Sequence, residues 1–541
     1  MAALLMLAVL FLLSLFSCTG KQETSDKRKV FRYNEQAGIS SLDPAVASNF
    51  ENIWVINQLF NGLVQMNDAL QIEPCIAKSW TLSEDGRIYT FKIRQDVIFH
   101  NSPAFGGQPG RKVKASDFVY TFERLLNPAL SNAVSLLNHV ESDKPFQAPD
   151  DSTFIVRLQK AYSPFLGILT MKYFSVIPKE AVDFFGKEFR KNPVGTGPFI
   201  FKIWEEGTQL ILLKNPNYFE TSSQNEKLPY LDAVSISFMK DKETSFLQLM
   251  KGDLDMISGM DAFNPNEILD DNANLKPYYR DKFNLQTLPF LKTDYLGFLI
   301  DKNENAVKNN PILNRSVRLA INYSIDREKL IKHFRNDLGI PATCGFIPFG
   351  LPSYNPQEIK GYHYNPDKVK ELLLEAGYPE GKGLPEIPLY STENYLEMFE
   401  FIQSQLAENN IHIKIMVEKA SVLTPAIKNN EIPFFRKSWI GDYPDEENFM
   451  SLFYSKNFSP GGFNYTHYSN PDFDKMYENA PDCDNDSIRR NLYHKMDQLL
   501  INDAPIVPLY YDEVVRLVSK KISGLSTNPI NLLNLKTVKK D

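Results

Sequence analysis

The feature that most constrains how this chain folds is its length, combined with the lack of any linker segment. The chain has 541 residues, whereas a single hydrophobic core stops growing at about 250–300 residues. Two or three domains are therefore expected. No low-complexity segment or repeat separates them between Arg28 and Asp541. We predict that the domains are interleaved rather than strung together.

Strands and helices alternate throughout the chain. In the first half, the periodicity of apolar residues and the capping residues predict a helix over 50–64 with Gly62 as its stop, a half-buried strand at Ile88–Arg94, a helix capped by Ser116 and a strand at Thr153–Leu158. A chain that alternates in this way is typical of an α/β architecture.

The second half carries longer helices and a β-α-β unit. Asn314 and Asp326 are predicted caps, and Asn365, Pro366 and Gly377 bound a complete helix signature. The unit itself comprises a strand at Ile387–Tyr390, a helix at Asn394–Glu408 and a strand at Ile411–Val417, and a last helix at Ser487–Leu500 leads to a strand at Ile506–Tyr511. A β-α-β unit predicts a parallel sheet in this half.

The first eighteen residues predict export. Residues 1–17 carry no charged side chain, and their apolar run ends just before Cys18. That run is shorter than the about 20 residues that span a bilayer, but it has the length of the apolar part of a signal peptide. The residues before Cys18 resemble a bacterial lipobox. We expect a signal peptide at 1–17, lipid on Cys18 and a tether at 18–28. A buried helix and an unlipidated signal are the alternatives.

Composition and motifs exclude several classes of function. The net charge of −7 argues against nucleic acid as a partner. Three further cysteines are too far apart for a disulfide framework or a metal site. Histidines such as His100, His333 and His467 are isolated, and no catalytic motif occurs. We therefore expect no enzyme activity, no cofactor and no metal.

The stretch from Arg436 to Pro444 holds the densest set of binding groups. It follows a predicted strand at Phe434–Trp439, and ligands of open α/β sheets gather at the carboxyl ends of strands. Asp442 offers a carboxylate for an ammonium group, with the rings of Trp439 and Tyr443 beside it. Arg436 offers a bidentate fork for a carboxylate. An Asx-turn at Asp442 and a surface ion pair at Arg436 explain the same residues equally well.

Several short stretches of the chain resemble motifs of a known protein family, and they occur in the same order as in that family. They are SLDPA from Ser41, LFNGLV from Leu59, EPCIAKSWTLSEDGRIYTFKIRQDVIFH from Glu73, VKASDFVYTFERLLNP, NPVGTGPF, LQLMKGDLDMI, VRLAINYSIDREKL, YNPDKVKELLLEAGYP, WIGDYPDEENF and APIVPLYY. From about Phe31 to its end the chain resembles the extracellular solute-binding proteins of ABC transporters, in the peptide and nickel class. Its site motif is most similar to that of oligopeptide-binding proteins.

The resemblance implies a two-lobed α/β fold of the periplasmic-binding-protein type (type II). The two lobes close on the ligand, and an extra domain is inserted in the first lobe. Transferred to this chain, lobe one comprises 29–72, 189–285 and 508–541, the inserted domain 73–188, and lobe two 286–507.

The resemblance also assigns roles to the site residues. In the oligopeptide-binding branch, the Asp of the Trp-x-x-Asp motif pairs with the peptide ammonium, and here that residue is Asp442, after Gly441. The Arg three residues before the Trp meets the peptide carboxylate, and Arg436 occupies that place. The loop that includes Asn49 and Phe50 lines the cleft through main-chain groups. The arginine that dipeptide-binding relatives use is absent, since Asn394-Tyr395-Leu396-Glu397 stands there.

The function that the resemblance implies is capture of peptides for delivery to an ABC permease. The protein is expected to be a monomer, tethered by its lipid to the membrane and facing the periplasm or the exterior. The alternatives are a receptor of the same fold for nickel chelates, opines or sugars, a secreted hydrolase, and a sensory or chaperone-like binding protein without a transporter.

Overall fold

The computed structural model describes residues 28–131, 133–259, 263–270, 272–483 and 485–541. The predicted signal peptide and Cys18 lie outside these ranges. Within them, every helix is too short or too polar to cross a membrane.

The strands follow the chain from its beginning to its end. They are β1 (Val30–Asn34), β2 (Val64–Met66), β3 (Ile72–Pro74), β4 (Ala77–Leu82), β5 (Ile88–Ile93), β6 (Phe146–Asp150), β7 (Thr153–Arg157), β8 (Phe199–Glu205), β9 (Gln209–Lys214), β10 (Ala233–Ser237), β11 (Met256–Ser258), β12 (Phe283–Phe298), β13 (Ile340–Pro341), β14 (Ile387–Ser391), β15 (Ile413–Val417), β16 (Phe434–Ile440), β17 (Ile506–Ser519), β18 (Ile522–Ser523) and β19 (Lys539–Lys540).

The α-helices lie between these strands. They are α1 (Phe50–Leu59), α2 (Ala115–Leu125), α3 (Phe165–Ile168), α4 (Lys179–Phe185), α5 (Lys242–Lys251), α6 (Pro265–Ile268), α7 (Pro277–Arg280), α8 (Arg315–Tyr323), α9 (Arg327–Arg335), α10 (Pro366–Glu375), α11 (Leu396–Glu408), α12 (Ala420–Lys428), α13 (Glu447–Met450), α14 (Pro471–Asn479) and α15 (Asp486–Asp503).

A long mixed sheet runs through the molecule. Its strand order is β15-β14-β16-β12-β17-β11-β1-β10-β9-β8, with β13 also paired to β17. A second, antiparallel sheet, β4-β5-β7-β6, lies entirely within the range predicted for the inserted domain. The boundaries of that domain and of the two lobes stay a prediction.

The two long strands β12 and β17 connect the halves of the mixed sheet. Residues 283–289 of β12 pair with 513–519 of β17, and residues 293–297 pair with 506–511. The register shifts between Pro289 and Thr293. On one side of this break β17 also pairs with β11, and on the other side β12 also pairs with β16. The break lies a few residues after each predicted lobe crossing.

The local predictions hold where a capping signal and a periodic pattern agree. Strands β14 and β15 are parallel neighbours joined through α11, which confirms the predicted β-α-β unit. Asn365 caps α10 by accepting a hydrogen bond from the Lys368 N–H. The cap predicted at Ser116 is wrong. Helix α2 already begins at Ala115, because the Asp117 carboxylate reaches back to accept the Lys114 N–H at 2.8 Å.

Candidate functional site

Strand β16 delivers the predicted binding residues to one end of the sheet. Ile440 pairs with Lys292 of β12, and the Gly441 N–H donates to the Leu291 carbonyl at 2.7 Å. A Cβ at Gly441 would lie 3.1 Å from the Phe449 ring, so a glycine suits this close packing. Asp442 therefore leaves the sheet at the carboxyl end of β16, as predicted.

One side chain, Asn448 of α13, fixes both Trp439 and Asp442. Its Oδ1 accepts from Trp439 Nε1 at 2.9 Å and from the Asp442 N–H at 3.2 Å. Its Nδ2 donates to Asp442 Oδ2 at 3.5 Å. The carboxylate and the indole are thereby held in one arrangement. The sequence prediction did not include Asn448, since a single asparagine six residues after Asp442 carries no signal of its own.

The Asp442 carboxylate is open to solvent but lies in a recess. The residue is exposed, yet desolvation by the surrounding protein raises the pKa of its carboxyl to about 6, and the Asn448 hydrogen bond only partly offsets this effect. None of the lysine, arginine and histidine side chains that the structure describes forms an ion pair with it. A desolvated carboxylate without a cation suits a positively charged ligand.

Tyr173 lies near Asp442, and Ser48 in turn contacts Tyr173. Burial and then the charge of Asp442 raise the pKa of the Tyr173 hydroxyl, which a hydrogen bond with Ser48 lowers in turn. Tyr173 belongs to the predicted inserted domain and Ser48 to lobe one. The recess is therefore formed by three parts of the chain that are far apart in sequence. Tyr173 was not among the predicted site residues.

The loop predicted to line the cleft borders this recess. Ser48 and Asn49 are exposed, and the Ser48 hydroxyl donates to Asn49 Oδ1 at 3.0 Å. Phe50 begins α1 and is half-buried, with its ring centroid 6.1 Å from that of Phe290. The loop is thus linked to Asp442 through Tyr173, and its role toward a ligand stays a prediction.

Tyr443 points away from solvent. Only 3% of it is exposed, its hydroxyl donates to Glu447, and its ring packs against Gly167 of α3. It joins the hydrophobic core formed by the first part of the chain. Tyr443 therefore ties the recess to the predicted inserted domain, and its contact with a ligand stays a prediction.

Arg436 is engaged inside the protein. Its guanidinium pairs with the buried Asp294 and lies 3.8 Å from the centre of the Tyr395 ring. Burial lowers the pKa of Arg436, but the charge of Asp294 more than offsets this effect. Asp294 also contacts Lys292 at 3.2 Å, and Lys292 contacts Asp512 at 2.6 Å. A ligand carboxylate would have to share Arg436 with Asp294.

The neighbouring Lys437 has a different environment. Alternation along β16 places it on the same face as Trp439 and opposite Arg436. In the part of the chain that the structure describes it forms no ion pair, and its Nζ lies 4.6 Å from the centre of the Tyr465 ring. Desolvation, followed by the charge of Arg436, lowers its pKa to about 8. Lys437 is thus a cation that pairs with none of the described carboxylates, and the sequence prediction did not include it.

These features define a class of protein. A desolvated carboxylate just after the end of β16, with an indole and a separate ammonium group on the same strand, is an arrangement that suits a charged solute. The profile of the "Bacterial extracellular solute-binding proteins, family 5 Middle" matches residues 71–461. The chain belongs to this family of bacterial extracellular solute-binding proteins, which confirms the class of protein predicted from the sequence.

Individual relatives agree with the family. The chain is 29% identical to heme-binding protein A of Haemophilus influenzae, over 87% of this chain and 85% of the relative. It is 26% identical to a dipeptide-binding protein of Bacillus subtilis, over 98% and 97%. The periplasmic binding protein DppA of Helicobacter pylori, solved with the peptide STSA, superposes with a TM-score of 0.80 at 27% identity over 95% of this chain and 98% of that one.

Two predictions are confirmed by these relatives. Solved structures of periplasmic binding proteins, the one from Helicobacter pylori among them, share the fold of this chain, which confirms the predicted two-lobed fold class. The relatives named above are binding proteins by name, and on that ground the chain is a solute-binding transport protein and not an enzyme.

Proposed function

We propose that this protein captures peptides, holds their ammonium group at Asp442 and delivers them to the permease of an ABC transporter. The observation that carries the proposal is the state of Asp442. Its carboxylate is exposed, desolvated and without a cationic partner among the described residues. An incoming α-ammonium group supplies the missing positive charge and replaces the water that the carboxylate has lost.

Relatives support a peptide as the ligand. The structure from Helicobacter pylori contains a peptide, and the Bacillus subtilis relative is a dipeptide-binding protein by name. The Haemophilus influenzae relative is a heme-binding protein, so hemin is the appropriate competing ligand. Hemin offers carboxylates but no ammonium group, and Asp442 would repel it.

We assign the far end of the peptide to Lys437, with Arg436 as a second partner. Lys437 precedes Asp442 by five residues, which span about 16 Å in an extended chain at about 3.3 Å per residue. An extended peptide of three to five residues covers roughly 10–16 Å. Because Arg436 already pairs with Asp294, Lys437 is the cation that a ligand carboxylate reaches without competition.

Calorimetry with peptides of defined termini tests this function. The wild-type protein is expected to bind free tri- to pentapeptides, to bind N-acetylated peptides at least thirtyfold more weakly, and to lose a smaller part of its affinity for C-amidated peptides. Hemin serves as the control ligand. Equal binding of free and acetylated peptides would contradict capture at Asp442, and preferential binding of hemin would contradict the peptide itself.

The lipid anchor is a separate part of the proposal. The apolar run before Cys18 and the polar segment after it support cleavage before Cys18 and acylation of its thiol. Acyl chains contribute about 0.8 kcal/mol per buried CH₂, and two chains anchor a protein stably. Cys18→Ser is expected to move the protein from the membrane fraction to the soluble fraction, or to leave it unprocessed. Cys483→Ser is the matched control. Fractionation and mass spectrometry that show an unchanged, processed and membrane-bound Cys18→Ser protein would refute the anchor.

A further inference from the structure

A cluster of three potential metal ligands lies at the opposite end of β16 from Asp442. Asp301 and Glu304 follow the end of β12, and His467 lies in the loop after α13. The Ile300 N–H donates to the Thr466 carbonyl at 2.9 Å, which holds the two segments together. Strand β16, with six residue steps and a length of about 20 Å in an extended conformation, separates the cluster from Asp442. It is therefore distinct from the peptide site.

The imidazole of His467 is buried, with only 6% of the residue exposed. Among the residues that the structure describes, its Nδ1 has no hydrogen-bond partner. Its Nε2 lies 3.0 Å from the carbonyl oxygen of Ser459, which can only accept a hydrogen bond. The Ser459 hydroxyl lies 3.2 Å from the same nitrogen, and it already donates its proton to Asn430 Oδ1 at 2.5 Å. The proton of the neutral ring is therefore assigned to Nε2, and the lone pair of Nδ1 remains available.

That lone pair faces two carboxylates. Nδ1 lies 3.6 Å from Asp301 Oδ2 and 3.6 Å from Glu304 Oε1, and the three ligand atoms lie within 4.8 Å of one another. In the described ranges, no lysine or arginine forms an ion pair with either acid. Asn303 donates its backbone and side-chain N–H groups to Asp301 Oδ1, each at 2.9 Å, and Asn430 donates to Glu304 Oε1 at 3.1 Å. Apart from His467, the described groups that contact the two acids are therefore neutral. Three acceptors aimed at one point repel one another unless a cation lies between them.

The spacing and the chemistry of these atoms fit a divalent metal ion. Two ligands bound to Zn²⁺ at about 2.1 Å with a tetrahedral angle between them lie about 3.4 Å apart, close to the two separations of 3.6 Å from Nδ1. One imidazole and two carboxylates suit Zn²⁺ or Mn²⁺ better than a purely oxygen-loving ion. We propose that Asp301, Glu304 and His467 form a divalent-cation site, with Zn²⁺ as the preferred ion.

The surroundings of His467 match those of a metal ligand. Metal-bound histidines generally donate their second nitrogen to a carbonyl or carboxylate, which fixes the tautomer and the ring orientation. Ser459 does this here, and the ring of Phe458 stacks on the imidazole at 4.3 Å with an interplanar angle of 4°. The ligand atom is thereby held in place before any ion binds.

The ion would fasten the loop that carries His467 to the end of β12. The same loop presents Phe463, whose ring centroid lies 5.5 Å from that of Trp439, and Tyr465, whose ring lies beside Lys437. The cation site therefore stabilises a loop that packs against two residues of β16. The site itself does not depend on the identity of the solute.

Titration of the full, untagged chain with Zn²⁺ after chelator treatment tests the proposal. The wild-type protein is expected to bind one Zn²⁺ and to unfold at a higher temperature in its presence. Glu304→Gln and His467→Gln are each expected to weaken Zn²⁺ binding at least tenfold and to abolish the thermal shift. His333→Gln, at an exposed histidine, is the matched control and should behave as wild type.

Two further measurements separate the outcomes. Asp301→Asn keeps the shape of the half-buried side chain and removes one charge, so it is expected to weaken Zn²⁺ binding even if His467→Gln fails to fold. Circular dichroism of each metal-free variant reports on folding. The proposal is overturned if the wild-type protein does not bind Zn²⁺ at a ratio of one ion per chain. It is equally overturned if all three variants retain Zn²⁺, which would locate the ion elsewhere, for example at Cys483.

Discussion

Asp442→Asn is expected to weaken the binding of free tri- to pentapeptides by about thirtyfold or more. Removing one partner of a desolvated charge pair costs about 2–5 kcal/mol, and each 1.4 kcal/mol corresponds to about a tenfold change in affinity. The amide has the shape of the carboxylate and keeps the contact with Asn448. Calorimetry with wild type and variant measures the loss directly, and N-acetylated peptides should bind both proteins equally weakly.

The proposed pair between Asp442 and the ammonium group of the peptide also predicts how peptide binding depends on pH. Burial raises the pKa of the free Asp442 carboxyl to about 6, whereas pairing with an ammonium group favours its ionised form. Affinity is therefore present above this pKa and is lost as the pH falls through about 6. Asp442→Asn should remove that dependence. Asp253→Asn, at an exposed position, is the control. A variant that binds as wild type at every pH would exclude Asp442 as the anchor.

Asp294→Asn is expected to destabilise the folded protein by about 3–5 kcal/mol. Asp294 is 1% exposed and balances Arg436 and Lys292. Without it Lys292 keeps Asp512, but Arg436 stays half-buried without a counter-charge. Breaking one partner of a buried ion pair costs about that amount. Urea denaturation, followed by fluorescence and circular dichroism in parallel, measures the change in the free energy of unfolding.

A surface pair provides the comparison for this prediction. Lys368 and Glu371 lie 2.9 Å apart on α10, with 45% and 68% of their side chains exposed. Glu371→Gln should change the free energy of unfolding by at most about 1 kcal/mol, since exposed pairs contribute little. If Asp294→Asn lowers the free energy of unfolding by no more than Glu371→Gln does, the ion pairs of Asp294 with Arg436 and Lys292 do not stabilise strand β16.

Local signals in the sequence were sufficient for most helices and for the β-α-β unit. Asn365, Pro366 and Gly377 bound α10 because capping, a fixed proline φ and a left-handed glycine act within one turn of helix. The long strand β12 was not predicted. It contains Pro289, which normally argues against a strand, and the structure accommodates that proline next to the register break. The helix cap predicted at Ser116 was wrong because the Asp117 carboxylate accepts the Lys114 N–H, which moves the start of the helix back to Ala115.

The sequence by itself determined the family, the fold class and the position of Asp442 after a strand, because these depend on motifs and on the periodicity of neighbouring residues. Only the tertiary structure decided which charges meet. Arg436 pairs with Asp294, 142 residues away, while Lys437 forms no ion pair within the described residues. His467, isolated in the sequence, comes within 3.6 Å of Asp301 and Glu304. Such pairings depend on the register between β12 and β16 and on how the loops close over their ends. Distances of that kind are set by packing between segments far apart in the chain, and no local pattern records them.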